Sequence, residues 1–138
     1  MRNGMMLLAA AAMALSFAGC SSQGESAQAP KVGVVQFAEH PALDNAYKGF
    51  VEGLKENGYD VEDGTVEIDY KNAQGDQSNN TTIAQTFVND NDDLIYAIAT
   101  PAAQATANAT KDIPIVISAV TDPKTSGLVK KKKKPETN

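Results

Sequence analysis

The 138-residue chain carries one cysteine, Cys20, and one histidine, His40. Each scarcity closes a class of function. A single thiol forms no internal disulfide, so the fold must be held by packing alone. One histidine and one cysteine leave neither a metal-ligand set nor a nucleophile-base pair of the kind that covalent catalysis needs. Gly-x-Ser-x-Gly, Gly-Lys-Ser/Thr and Gly-x-Gly-x-x-Gly are all missing, which argues against hydrolase, phosphate-loop and dinucleotide chemistry. Positive charge is scarce as well: from Lys31 to Val129 six lysines and no arginine stand against fifteen Asp and Glu, a net of −9. That balance repels a phosphate backbone and excludes a nucleic-acid partner. The acidic run Asp90, Asp92, Asp93 lacks EF-hand spacing and reads as a solvated turn. No enzyme and no cofactor are expected.

What is present begins with an address. Residues 1–19 combine a lightly basic start, an apolar run from Met5 to Phe17, and the small residues Ala18 and Gly19 just before Cys20. This is the form of a secretory signal. A membrane-spanning helix needs about 20 apolar residues, and this run is shorter, broken by Ser16 and followed at once by polar sequence. Two processing readings fit. In one, Cys20 closes a bacterial lipobox, is acylated, and becomes the first residue of a lipoprotein held on the extracytoplasmic face of the cell membrane. In the other the signal is simply cleaved, a reading kept open by Phe17, which stands where lipoboxes usually carry leucine. We read the segment as a lipoprotein signal. Residues 20–30, rich in Ser, Gln, Gly and Ala, then form a flexible tether.

Residues 31–129 are enough for one core and not for two. Lys31 to Phe37 is a Val-rich run that reads as a buried strand. Leu43, Ala46, Tyr47, Phe50, Val51 and Leu54 recur at helical spacing, with Gly58 as a left-handed stop after Asn57. Val66 to Asn72 alternates apolar and charged residues, as an edge strand does. After the Gln74-Gly75-Asp76 turn a second helix, capped by Asp76 or Ser78, runs to about Asn89. A third strand (Leu94 to Ala99), an Ala-rich helix (Ala102 to about Thr110) and a fourth strand (Ile113 to Val120) complete the pattern. Alternation of strand and helix predicts an open, doubly wound α/β unit: a parallel sheet with helices on both faces, for which strand orders such as 2-1-3-4 are common. Tyr47, Tyr59, Tyr70 and Tyr96 are expected in the core or on the surface and not in a pocket.

Three strand ends look alike. His40-Pro41, Thr100-Pro101 and Asp122-Pro123 each place a polar or capping residue before a proline, the residue favoured at a first helical position because it has no N–H to leave unpaired. In a parallel sheet these starts share one edge, where unpaired N–H groups and helix dipoles favour an anion or carboxylate. Gln36, Asn72, Gln74, Thr100, Gln104, Ser118 and Thr121 are the polar residues expected to face that crevice.

KVGVVQFAEHPALDNAYKGFVEGLKENGY, NAQGD, LIYAIATPAAQA and PIVISAVTDPKTSGLV, in that order, resemble the amino-terminal lobe of ABC-transporter substrate-binding lipoproteins of the tryptophan- and tyrosine-binding type. The resemblance spans nearly all of Lys31 to Val129. It implies a type I periplasmic-binding-protein fold, in which two lobes close over a small ligand, often an aromatic amino acid, for delivery to a permease. Carried over by motif, ligand contacts fall on His40, Pro41, Asn72, Gln74, Thr100, Pro101, Ala102, Thr121 and Asp122. Thr100 and the N–H groups after Pro101 suit a carboxylate, and Asp122 suits an amino group. Family members are longer and carry a second lobe, so residues 130–138, with the lysine run Lys130 to Lys134, are expected to be the start of a hinge or crossover in a chain cut short. Such a chain is expected to bind ligand weakly or not at all. Two other classes share the fold: the effector lobe of a transcriptional regulator, which a secretory signal argues against, and a membrane-tethered sensor or interaction domain.

Overall fold

The computed structural model describes residues 28–130. The signal segment, Cys20, the first part of the tether and the lysines beyond Lys130 lie outside the described residues. Seven elements follow in order: β1 (Lys31–Gln36), α1 (Pro41–Glu56), β2 (Glu67–Asn72), α2 (Gln77–Asn89), β3 (Leu94–Ile98), α3 (Thr100–Ala109) and β4 (Ile115–Ser118). All three strand pairings are parallel, and the order is β2-β1-β3-β4. This is the doubly wound α/β fold that the alternation predicts.

Central β1 is buried from Val32 to Gln36, as a strand covered on both faces must be, whereas β2 at the edge has no fully buried residue and leaves Glu67 and Tyr70 exposed. Val32, Val34, Tyr96 and Ile98 meet α1 through Leu43, Ala46, Tyr47 and Phe50. Phe50 stacks on Tyr96 with ring centroids 4.1 Å apart, and the Tyr96 hydroxyl donates to the Ala46 carbonyl at 3.3 Å. On the opposite face Val35, Ile95 and Ala97 pack against Phe87, Ile83, Ala102 and Ala103 of α2 and α3. Gly33 is required there: a Cβ at this position would lie 2.5 Å from the Phe87 ring and from Asp92 Oδ2.

Helix ends follow local chemistry. Asn57 caps the end of α1, and Gly58 adopts φ 87°. The amides of Tyr59 and Gly58 return to the carbonyls of Leu54 and Lys55, a left-handed closure that suits glycine. Asp76, one of the two residues expected to do so, caps α2 by accepting from the Asn79 amide at 2.9 Å. Strand β4 is shorter than the apolar run suggested. Pro114 has no N–H for the ladder and Ala119 turns to φ 54°, so pairing is confined to Ile115–Ser118. Strand β3 likewise stops at Ile98, because Ala99 leaves the extended region at φ 83°. Among the described residues no helix is long and apolar enough to cross a membrane.

Candidate functional site

The sheet register aligns the strand ends. Gln36 pairs with Asn72 on one side and Ile98 on the other, and Ile98 pairs with Ser118. Every loop that leaves this row therefore emerges at the same edge. Further bonds stitch the loops together: the Ala73 amide donates to the Gln36 carbonyl at 2.9 Å, Gly75 to Phe37 at 2.8 Å, and Ala99 to Ser118 at 2.9 Å. From β1 the chain turns toward β2, and from β3 it turns toward β4, so the loops diverge between β1 and β3. In open α/β sheets such a switch point forms the ligand crevice.

Four loops bring the expected contact residues to this edge. His40 precedes α1 as its cap, with Nδ1 accepting from the Ala42 amide at 3.1 Å and Pro41 in the first turn. Asn72 ends β2, and its Oδ1 accepts from the Gln74 amide at 2.8 Å, which holds Gln74 exposed at φ 57°. Thr100 and Pro101 open α3. Thr121 and Asp122 follow β4.

Two of the three helix starts differ from expectation. Thr100 does not cap α3. The cap position is Ala99, at φ 83° and ψ 156°, and no side chain bonds to the first turn. Ala102 is fully buried in the core. Asp122-Pro123 begins a single turn and no helix within the described residues. Asp122 Oδ1 accepts from the amides of Lys124 and Thr125, and Gly127 at φ 74° then closes the turn, with the amides of Gly127 and Leu128 returning to Lys124 and Pro123. Gly127, four residues after Pro123, was the signal for this early stop.

The backbone at this edge is strained. Among the described residues, Gln74, Ala99 and Ala119 are three of the four non-glycine residues with positive φ, and each lies within two residues of a strand end on this rim. Ala99 occupies a region that is almost confined to glycine, at a cost of about 1–3 kcal/mol, and such outliers gather at ligand sites. Of the polar residues expected to face the crevice, Gln36 turns inward. It is fully buried, and its Nε2 donates to the Ala38 carbonyl at 2.9 Å and to Asp44 Oδ1 at 2.7 Å. Gln104 faces elsewhere, donating to the Ser126 carbonyl at 3.1 Å.

A concavity of about 900 Å³ lies apart from this crevice. It is a groove beside the outer edge of β4, lined in part by Ala103, Ala107, Ile115, Ile117 and Leu128, and it includes none of the expected contact residues. The Asp90–Asp93 turn lies at the opposite, N-terminal edge. There Asp92 is buried, Oδ1 stands 3.7 Å from Lys31 Nζ, and burial pushes the carboxyl pKa up, with Asp69 and Asp90 adding to the rise against the pull of Lys31. The tyrosines stay out of the crevice: Tyr96 is core, Tyr59 is exposed, and Tyr47 pairs with Tyr70 at a centroid distance of 4.5 Å.

An open parallel sheet covered by helices on both faces, with its loops converging at a switch point, is the doubly wound class of fold to which each lobe of a periplasmic binding protein belongs. The chain belongs to the family of ABC transporter substrate binding proteins, whose model matches residues 31–138. It is 51% identical over 114 residues to a tyrosine-binding protein of Clostridioides difficile (strain R20291), covering 83% of this chain and 33% of that protein. Solved structures agree. A ligand-free, open substrate binding protein with adhesive properties from Clostridium difficile is 52% identical with a TM-score of 0.75, covering 78% of this chain and 36% of that one. An ABC domain from Streptococcus pneumonia in complex with L-Trp is 49% identical with a TM-score of 0.76, covering 80% and 37%. The chain thus spans about a third of the length of these relatives.

Proposed function

We propose that this chain is the amino-terminal, ligand-facing lobe of the solute-binding component of an ABC importer, and that its ligand is an amino acid with an aromatic side chain. The observation that carries the reading is the start of α3, which opens at the switch point with no side chain bonded to its first turn. Uncapped N–H groups and the positive end of the helix dipole suit a carboxylate. The Thr100 hydroxyl adds a donor beside them. Asp122 places a negative charge on the same rim, suited to an ammonium group, while His40, Pro41, Asn72, Gln74 and Thr121 border the crevice. A relative solved with L-Trp and another described as tyrosine-binding support the ligand class.

In this reading Cys20 carries the lipid anchor, the tether lets the lobe reach a permease, and delivery of the amino acid to that permease is the task. One lobe supplies one wall of a two-lobed clamp, so the affinity of that lobe by itself is low. Isothermal titration of L-tryptophan and L-tyrosine into the chain tests this. Saturable binding in the millimolar range is expected. Micromolar affinity would contradict the one-wall account, and saturable heat from a sugar with none from either amino acid would contradict the ligand class. A second reading, a tethered interaction domain, draws on the relative described as having adhesive properties.

A further inference from the structure

We infer that Gln36 is a positioning residue for the ligand-facing rim, clamping the His40 loop to α1 through its side-chain amide. This rests on the reading of the rim as a ligand site. Gln36 ends a strand whose buried side chains are otherwise apolar, and alternation puts it on the face of Val32 and Val34, beneath α1. Both Nε2 hydrogens are used, one on the Ala38 carbonyl and one on Asp44 Oδ1 in the first turn of α1. Both partners are acceptors, so the orientation of the amide is fixed.

The segment held between those bonds is the one that presents His40, whose carbonyl accepts from the amides of Leu43 and Asp44 at 2.9 Å each. The main chain extends the clamp: the Gln36 carbonyl holds Ala73, the Phe37 carbonyl holds Gly75, and the Phe37 amide reaches Ile98. Gln36 and Phe37 thereby tie three rim loops to one point.

Stability alone does not account for glutamine here. Its Oε1 is buried with no partner, a desolvation cost that an apolar side chain of similar size would avoid. Holding the rim loop gives the polar residue a purpose that an apolar one cannot serve.

Amide hydrogen exchange on the full chain tests the clamp. In Gln36→Met the amides of Ala42, Leu43 and Asp44 should exchange about tenfold faster while the urea midpoint is unchanged or higher. Asp44→Asn, which keeps an acceptor for Nε2, should retain slow exchange at Ala42 and Leu43, and Asp44→Ala should lose it. Addition of millimolar L-tryptophan should move the His40 and Ala42 resonances less in Gln36→Met than in the parent. Unchanged exchange in Gln36→Met would overturn the inference. So would a fall in midpoint with uniform acceleration across β1 and α1, the mark of a merely structural residue, or equal loss of protection in Asp44→Asn and Asp44→Ala. If L-tryptophan moves no rim resonance in the parent chain, the ligand reading fails, and the exchange comparison still decides the clamp.

Discussion

The amide of Phe37 donates to the carbonyl of Ile98 at 3.2 Å, and beyond this last bond between β1 and β3 the two chains turn away from each other. One turn leads toward α1 on one face of the sheet and the other toward α3 on the opposite face. The crevice between them follows from topology, because parallel strands whose crossovers leave in opposite directions cannot close the space at their ends.

Ala99 stands beside that bond at φ 83° and ψ 156°. Replacing it with glycine removes about 1–3 kcal/mol of backbone strain and adds about 0.5–1 kcal/mol of unfolded-chain entropy cost. Strain is the larger effect. Ala99→Gly should therefore raise stability by about 1 kcal/mol, seen as a higher urea midpoint at constant slope. A lower midpoint would show that the alanine conformation is unstrained.

How much of this was legible in the sequence depends on what decides each feature. The strands, α1 and its Gly58 stop were legible because periodicity and a glycine act locally. The strand order matched a common solution for the pattern, and the three X-Pro motifs did mark one edge. What was not legible is where a side chain turns once the chain has folded. Thr100 looks like a cap, yet the strained geometry of Ala99 takes that position. Asp122 does bond to the amides that follow it, but Gly127 closes the turn before a helix forms. Gln36 was counted with the crevice and instead points beneath α1, because strand alternation puts it on the face of Val34. Asn80, fully buried with neither polar atom paired, carried no signal beyond its place in a polar helix start.

Gly33 should tolerate no side chain. An added methyl would meet the Phe87 ring, itself fully buried, at 2.5 Å. Overpacking of this kind costs about 1–3 kcal/mol and exceeds the small gain in strand propensity. Chemical denaturation of Gly33→Ala should show a loss in that range, and parent-like stability would mean that α2 shifts freely away from the sheet.

Asp92 makes stability depend on pH. Burial holds its folded pKa above the ordinary 3.8, so between those two values the folded chain keeps a proton that the unfolded chain has lost. Stability from this group is full in acid below 3.8 and declines as pH rises through the raised folded value. Asp92→Asn removes that decline. The variant should gain on the parent at neutral pH, and the difference should shrink as the solution is acidified. Urea midpoints measured across this range check the sign, and a variant that loses most at neutral pH would show that the Lys31 pairing outweighs desolvation.

The central claim is that the loops at the β1/β3 switch point form the ligand surface, and residue-resolved nuclear magnetic resonance with millimolar L-tryptophan tests it most directly. Shifts should concentrate at His40, Gln74, Thr100 and Ala102, with the Asp90–Asp93 edge unmoved. Shifts confined to that opposite edge or to the groove beside β4, or no shift at the rim, would contradict it.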